Sequence, residues 1–236
     1  MTLILLQTIV QSISSTLYWI GLYVGIRALP GGESRRLRWI AGSAVVLAVW
    51  FIGIVLLAAN GVFRTDAPRI PAALLATLAA GYLLLLWPAF RAIVGNIPQH
   101  WLIGIQTFRI LGGVFLVRYF QGELPGIFAI PAGVGDILTG LAAPLVAYWW
   151  FVGKPYARTA AIAWNVFGMA DLVNAVLIGT LTGGGGGGIV FPAVLIPVYA
   201  VPRAFLLHSY SLIGLLRQDA RHPAATEALP LETART

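Results

Sequence analysis

Four ionisable side chains stand in otherwise apolar stretches of the sequence: Arg109, Asp136, Asp171 and Arg203. In the stretch AIPAGVGDILTGLAAP, Asp136 and Thr139 are the only residues that are neither small nor hydrophobic. A charge in hydrocarbon is costly unless it is paired or lines a cavity, so such residues are functional candidates. The two aspartates could carry protons or cations, and the two arginines could hold them ionised or bind an anion.

Polar neighbours at helical spacing extend this set. Gln106 comes three residues before Arg109, and Thr139 and Asn174 come three residues after Asp136 and Asp171, so each pair would share a helix face. The candidate binding site or proton and ion pathway therefore comprises Asp136, Asp171, Arg109, Arg203, Gln106, Asn165, Asn174, Tyr199 and Thr139. No catalytic residue is predicted.

Two histidines suggest a second kind of chemistry. His100 and His208 both come out roughly 27–30 Å from the outer side by helical rise, which would suit a bis-histidine haem or metal site. However, HExxH is absent, no carboxylate stands nearby in sequence, and the chain has no cysteine. This pattern favours two separate interfacial histidines, and we predict neither metal nor cofactor.

The composition specifies the elements that must position these residues. The chain is 59% hydrophobic and 10% charged, whereas a soluble domain carries roughly 25% charged residues. Recurring apolar runs of about 20 residues predict an all-α, polytopic bundle of membrane helices. Seven spans can be drawn, at about 3–28, 39–60, 70–90, 100–120, 127–151, 159–181 and 190–216, in one domain over 1–217.

Loop charges predict the orientation. With the N-terminus outside, ten Lys and Arg residues fall on inner segments and three on outer ones, which favours N-out and C-in. The net charge of +7 is therefore read as a topology signal and not as nucleic-acid binding. Residues 218–236 read as a flexible cytoplasmic tail, and the glycine run TGGGGGG as a flexible outer loop or a lid over an entrance.

The four charged residues should lie at similar depths in the membrane. Counted from the outer span ends, Arg109, Asp136 and Asp171 lie at roughly 15 Å and Arg203 at roughly 20 Å, near the middle of a core about 30 Å thick. We therefore expect one charged layer across the bundle, with Arg109 the best partner of Asp136.

Prolines and a polar stripe add three expectations about individual spans. Pro197 and Pro202 should interrupt span seven just before Arg203, as in the broken helices of transporters. Pro131 could be the first residue of the true fifth helix. Span one carries a neutral polar stripe that should face other helices: Gln7, Gln11, Ser14 or Ser15, and Tyr18.

Three functional interpretations remain open. The first is a transporter or channel for a small polar solute or ion in a bacterial inner membrane. The second is a non-catalytic sensor, assembly factor or complex subunit in which the charges are structural, and the third is an intramembrane haem or metal enzyme using His100 and His208. Expected partners are the lipid bilayer and a small solute or ion, with a homo-oligomer or larger membrane complex left open.

Overall fold

The computed structural model describes residues 2–63, 69–182 and 191–221, and every regular element in these ranges is helical. The elements are α1 (Thr2–Arg27), α2 (Glu33–Ala59), α3 (Arg69–Leu84), α4 (Pro88–Gly95), α5 (Gln99–Gly104), a 3-10 segment (Ile105–Gly113), α6 (Val114–Phe120), α7 (Gly126–Phe151), α8 (Ala157–Leu181), a π segment (Ile196–Ala200) and α9 (Val201–Arg221). The glycine run from 183 onward and residues 222–236 lie outside the described residues.

The all-helical fold that the sequence predicts is confirmed for the described residues. Within the described ranges, five helices are long and apolar enough to cross a membrane, and a sixth is added if α3 and α4 form one span. These two helices are bent by 93° at the break between them, whereas the sequence predicts one span at about 70–90. Seven spans and their orientation stay predictions.

The region that holds the charged residues is built around α7. This helix packs most extensively against the 3-10 segment and α8, while α9 packs on α3 and α8. Pro131 lies inside α7, which begins at Gly126 after Pro125, so the alternative helix start at Pro131 was wrong. The short link to α8 closes in a Schellman motif, in which Gly153 adopts a φ of 70° and the Lys154 amide donates to the Trp149 carbonyl at 3.0 Å.

Two stretches depart from the α-helical pattern, and both carry charged or aromatic residues of interest. The 3-10 segment is nine residues long, although such helices rarely exceed about four residues. Because side chains three apart eclipse in a 3-10 helix, Gln106, Arg109 and Gly112 form one line along it. The π segment contains Pro197 and Tyr199 and directly precedes Pro202 and Arg203, as expected for a helix interrupted by proline.

Candidate functional site

Arg109 joins two aspartates in the middle of the bundle. Its Nε donates to Asp136 Oδ1 at 2.7 Å, and its Nη2 donates to Asp171 Oδ2. The Arg109 side chain is 1% exposed, and those of Asp171 and Asp136 are 8% and 16% exposed. We call these three residues the Asp–Arg–Asp triad. With both carboxylates ionised, its formal charge is −1.

The same guanidinium also binds α8 and α9. Arg109 Nη1 donates to the Gly168 carbonyl at 3.1 Å and lies 3.1 Å from His208 Nε2. Arginine has only donors, so this imidazole nitrogen must accept, which leaves the ring proton on Nδ1. Arg109 therefore ties its own segment to three helices, and its position depends on all of them.

A polar chain continues from His208 away from the aspartates. His208 Nδ1 donates to Asn165 Oδ1 at 3.0 Å, Asn165 Nδ2 donates to Ser211 Oγ at 2.8 Å, and Gln99 Nε2 donates to the same hydroxyl at 2.5 Å. All four of these side chains are buried. Because both ring nitrogens of His208 have buried hydrogen-bond partners, the ring is held in one tautomer and one orientation.

Glycines make the close approach of these elements possible. A Cβ on Gly112 would overlap the Asp136 side chain, and one on Gly135 would overlap the Asp171 carboxylate. A Cβ on Gly168 would overlap the His208 ring, and one on Gly140 would come within 2.5 Å of the Ile110 amide nitrogen. The space beside these four glycines is therefore filled by protein.

A cavity of about 780 Å³ reaches the triad from one side. Asp136 and Arg109 form part of its wall, and it extends to Gln121 and Glu123 in the connection between α6 and α7. The rest of the wall is largely apolar, and Gln11 and Ser14 of α1 contribute its neutral polar part. Asp136 is thus the triad carboxylate that a small molecule in this cavity can approach.

The structure corrects the expectation that Arg203 belongs to the same charged layer. Arg203 Cζ lies 3.6 Å from the ring centroid of Tyr199 and 4.5 Å from that of Tyr18. The guanidinium donates to the Tyr199 carbonyl at 3.0 Å and to Ser14 Oγ at 2.9 Å, with longer bonds to Ser15 and Gln11. We use the name Arg203 cluster for Arg203 together with these partners, which are Gln11, Ser14, Ser15, Tyr18 and Tyr199. No carboxylate of the described residues pairs with Arg203.

The polar stripe on α1 has the role that its spacing predicts. Four residues of the stripe contact Arg203 of α9: Gln11, Ser14, Ser15 and Tyr18. The expectation that the stripe faces other helices is therefore confirmed for these four. Tyr199 also belongs to this cluster, where its hydroxyl hydrogen-bonds Ser15 Oγ at 2.9 Å. It therefore does not complete the aspartate site.

Three other predicted residues have separate places. Gln106 and Thr139 are fully buried, and neither the Gln106 amide nor the Thr139 hydroxyl has a hydrogen-bond partner among the described residues. Asn174 is exposed on α8, which corrects its assignment to the site. A spacing of three residues turns the side chain by about 60°, enough to carry it off the buried face.

The two histidines do not form the pair that a bis-histidine site requires. His100 packs edge-on against Phe151 with ring centroids 5.3 Å apart, whereas both ring nitrogens of His208 are engaged by Arg109 and Asn165. Across the parts of the chain that the structure describes, no three His, Asp or Glu residues are grouped as metal ligands. The sequence analysis did not predict the contact between His208 and Arg109. An available signal was Gly168, three residues before Asp171, because a glycine at this position lets another side chain approach the helix closely.

Among the described residues the protein is thus an all-helical bundle, with five or six helices apolar enough to cross a membrane and a buried triad beside a cavity. Residues 70–216 match the model of a family described as a domain of unknown function, DUF8737. Because the match covers more than half of the chain, the protein belongs to this family. The matched region contains the triad, the polar chain and Arg203, whereas α1 and α2 precede it. No curated protein and no solved structure matches the chain.

Proposed function

We propose that this protein is a transporter or channel for a small polar solute or ion, with seven spans, N-out and C-in, in a bacterial inner membrane. The observation that carries the proposal is a partly exposed carboxylate, Asp136, at the wall of a cavity and bound to an arginine that is shared with a second carboxylate. Ionisable groups placed in this way typically mark substrate and ion pathways.

The shared arginine supplies a physical route from binding to movement. A proton or cation at Asp136 competes with Arg109 for the same carboxylate oxygens and so weakens one of the bonds that position the guanidinium. Arg109 also binds the Gly168 carbonyl of α8 and His208 of α9. A change at Asp136 therefore biases the packing of α7, α8 and α9 together, which is what coupling between loading and helix movement requires.

The arrangement around the cavity suits one half of a transport cycle. The cavity extends towards the connection after α6, which the predicted topology places outside. On the other side of the triad, the polar chain from His208 to Gln99 closes the space between α5, α8 and α9. We interpret this as an outward-facing cavity above a closed inner half.

A structural charge cluster in a non-catalytic membrane protein is the second candidate. It is favoured by the near-complete burial of Arg109 and by the glycine spaces, which are occupied by protein. Buried ion pairs can join helices without binding any ligand. The two candidates differ in what neutralisation of Asp136 should do, because a structural cluster predicts a change in stability and no loss of solute movement.

Reconstitution into liposomes on a solid-supported membrane tests the proposal. Currents are recorded after rapid application of sodium, potassium, ammonium or neutral amino acids and after pH jumps, for the wild type, Asp136→Asn and Asp171→Asn. Glu33→Gln, which removes an exposed carboxylate outside the triad, is the matched control.

We expect at least one solute or ion to give a current in the wild type and in Glu33→Gln that Asp136→Asn abolishes. Wild-type currents that persist in folded Asp136→Asn would contradict the carrier role of Asp136. The absence of current for every applied species would contradict transport and favour the structural cluster.

A further inference from the structure

The charge balance at the cavity favours a positive ligand. One guanidinium serves two carboxylates, so the triad keeps a formal charge of −1 when both are ionised. Arg118, the basic residue that pairs with the cavity-lining Glu123 at 2.9 Å, is neutralised by that carboxylate. Of the described residues that line the cavity, Arg109 is the only basic one. An anion would therefore meet no free cation there.

Arg203 does not alter this balance at the cavity surface. It is 3% exposed, its guanidinium lies against two tyrosine rings, and Gln11 and Ser14 separate it from the cavity. The oxygens of both separating side chains already accept hydrogen bonds from Arg203. Asp136 is thus the polar group with spare acceptor capacity at the triad end of the cavity.

The walls favour an organic cation over a bare metal ion. The apolar residues that line the cavity together with Asp136 include Phe108, Leu111, Val114, Leu172 and Val201. A hard metal ion needs six or more oxygen ligands, and the described residues contain no group of three acidic or histidine side chains that could supply them. In contrast, an ammonium group can hydrogen-bond one carboxylate while its hydrocarbon body packs on apolar walls.

We propose that the cavity binds an amphiphilic organic cation, with a protonated amine on Asp136 and an apolar body against Phe108, Leu111 and Val114. The volume of about 780 Å³ lies in the range of sites that enclose drug-sized molecules, roughly 300–1,000 Å³. This inference rests on the proposed function in one respect, namely that the bound cation is the solute that crosses the membrane.

A matched set of phenyl compounds tests the ligand class by calorimetry on the detergent-solubilised protein. The probes are phenethylammonium, its uncharged counterpart 2-phenylethanol, its anionic counterpart 3-phenylpropionate, and potassium chloride as a cation without an apolar body. We expect phenethylammonium to bind at least tenfold more tightly than the other three. Equal binding of 2-phenylethanol would overturn the role of charge, and equal binding of potassium would overturn the role of the apolar body.

Two kinds of variant locate the site. Asp136→Asn should weaken phenethylammonium binding at least tenfold, and Glu33→Gln should leave it unchanged. Leu111→Trp should also abolish binding by filling the cavity without altering the triad, whereas Val45→Trp, on the exposed face of α2, should have no effect. Unchanged binding in folded Leu111→Trp would overturn the proposed location even if Asp136→Asn did not fold.

The outcomes also separate this inference from the proposed function. Solute-driven currents without phenethylammonium binding would reject the ligand class and leave transport standing. Specific binding that depends on Asp136, with no current for phenethylammonium or any other solute, would support the binding site and reject transport. Absence of binding for all four probes would overturn the inference.

Discussion

The two buried arginines of this protein are stabilised in opposite ways. As whole residues, Arg109 and Arg203 are each 3% exposed. Arg109 binds two carboxylates, whereas Arg203 lies against two tyrosine rings and neutral oxygens. The Arg109 region has one more carboxylate than cations and lies at the wall of a cavity, which is why we propose that Asp136 can exchange its arginine partner for a ligand. In the Arg203 region, the guanidinium of α9 binds neutral groups of α1 and so joins the two helices. The comparison indicates that burial of a charge does not by itself mark a site.

Removal of Arg109 should have the largest effect. Arg109→Gln leaves two carboxylates buried without their cation, which typically costs about 3–5 kcal/mol. We expect a strongly lowered melting temperature in detergent, measured by intrinsic fluorescence. The triple variant that also carries Asp136→Asn and Asp171→Asn should recover most of the loss, and a single variant that melts like the wild type would contradict the triad.

Methyl groups added beside Asp171 and His208 should have the next largest effect. Gly135→Ala and Gly168→Ala each place a Cβ where Asp171 or His208 now lies, and overpacking of this kind costs about 1–3 kcal/mol. Gly42→Ala and Gly53→Ala are matched controls on α2, because a Cβ there meets nothing within 4 Å. Equal melting temperatures for both pairs would show that the helices approach less closely than described.

Loss of the cation in the Arg203 cluster should have a purely structural effect, smaller than that of Arg109→Gln because no carboxylate loses its partner. Arg203→Gln removes two cation–π contacts, each worth about 0.5–2 kcal/mol, and leaves no carboxylate unpaired. We expect a lower melting temperature with phenethylammonium affinity unchanged. A variant with wild-type stability but weakened binding would contradict the division between the two regions.

Neutralisation of Asp136 should have the smallest effect on stability. Asp136→Asn changes the formal charge of the triad from −1 to 0 and leaves the Arg109–Asp171 pair in place, so we expect a change of about 1 kcal/mol or less. Equilibrium unfolding in a mild detergent gives the value. A loss as large as that of Arg109→Gln would show that Asp136 is a structural partner and not an exchangeable one.

Part of this arrangement could be predicted from the sequence. Depth along each helix placed Arg109, Asp136 and Asp171 at one level, and the structure brings these three together. Depth does not give the direction in which a side chain points, so the same count wrongly added Arg203. Its partners on α1 were visible as a polar stripe, but neutral groups and aromatic faces give no charge pattern that would have joined them to an arginine.

The remaining features depended on contacts between distant segments. The glycines near Asp136 suggested room for a helix or a ligand, and only the structure shows that the Asp171 carboxylate occupies the space beside Gly135. The composition of the nine-residue 3-10 segment does not predict its conformation, and the segment packs closely against α7, which is distant in sequence. The hydrogen bond between His208 and Arg109 joins residues that are 99 positions apart, so spacing in the sequence does not indicate it.

Access of water to the triad tests the central claim most directly. The chain contains no cysteine, so single cysteines can be labelled with a membrane-impermeant, charged thiol reagent without background. Leu111→Cys and Val114→Cys lie on the cavity wall, Gln121→Cys at its entrance is the accessible control, and Val45→Cys on α2 is the lipid-facing control.

We predict that Leu111→Cys and Val114→Cys react from the outer side, as Gln121→Cys does, and that phenethylammonium slows this reaction. Val45→Cys should not react. If both cavity positions stay unreactive from either side while they react in the unfolded protein, the cavity is dry and the triad is a structural cluster.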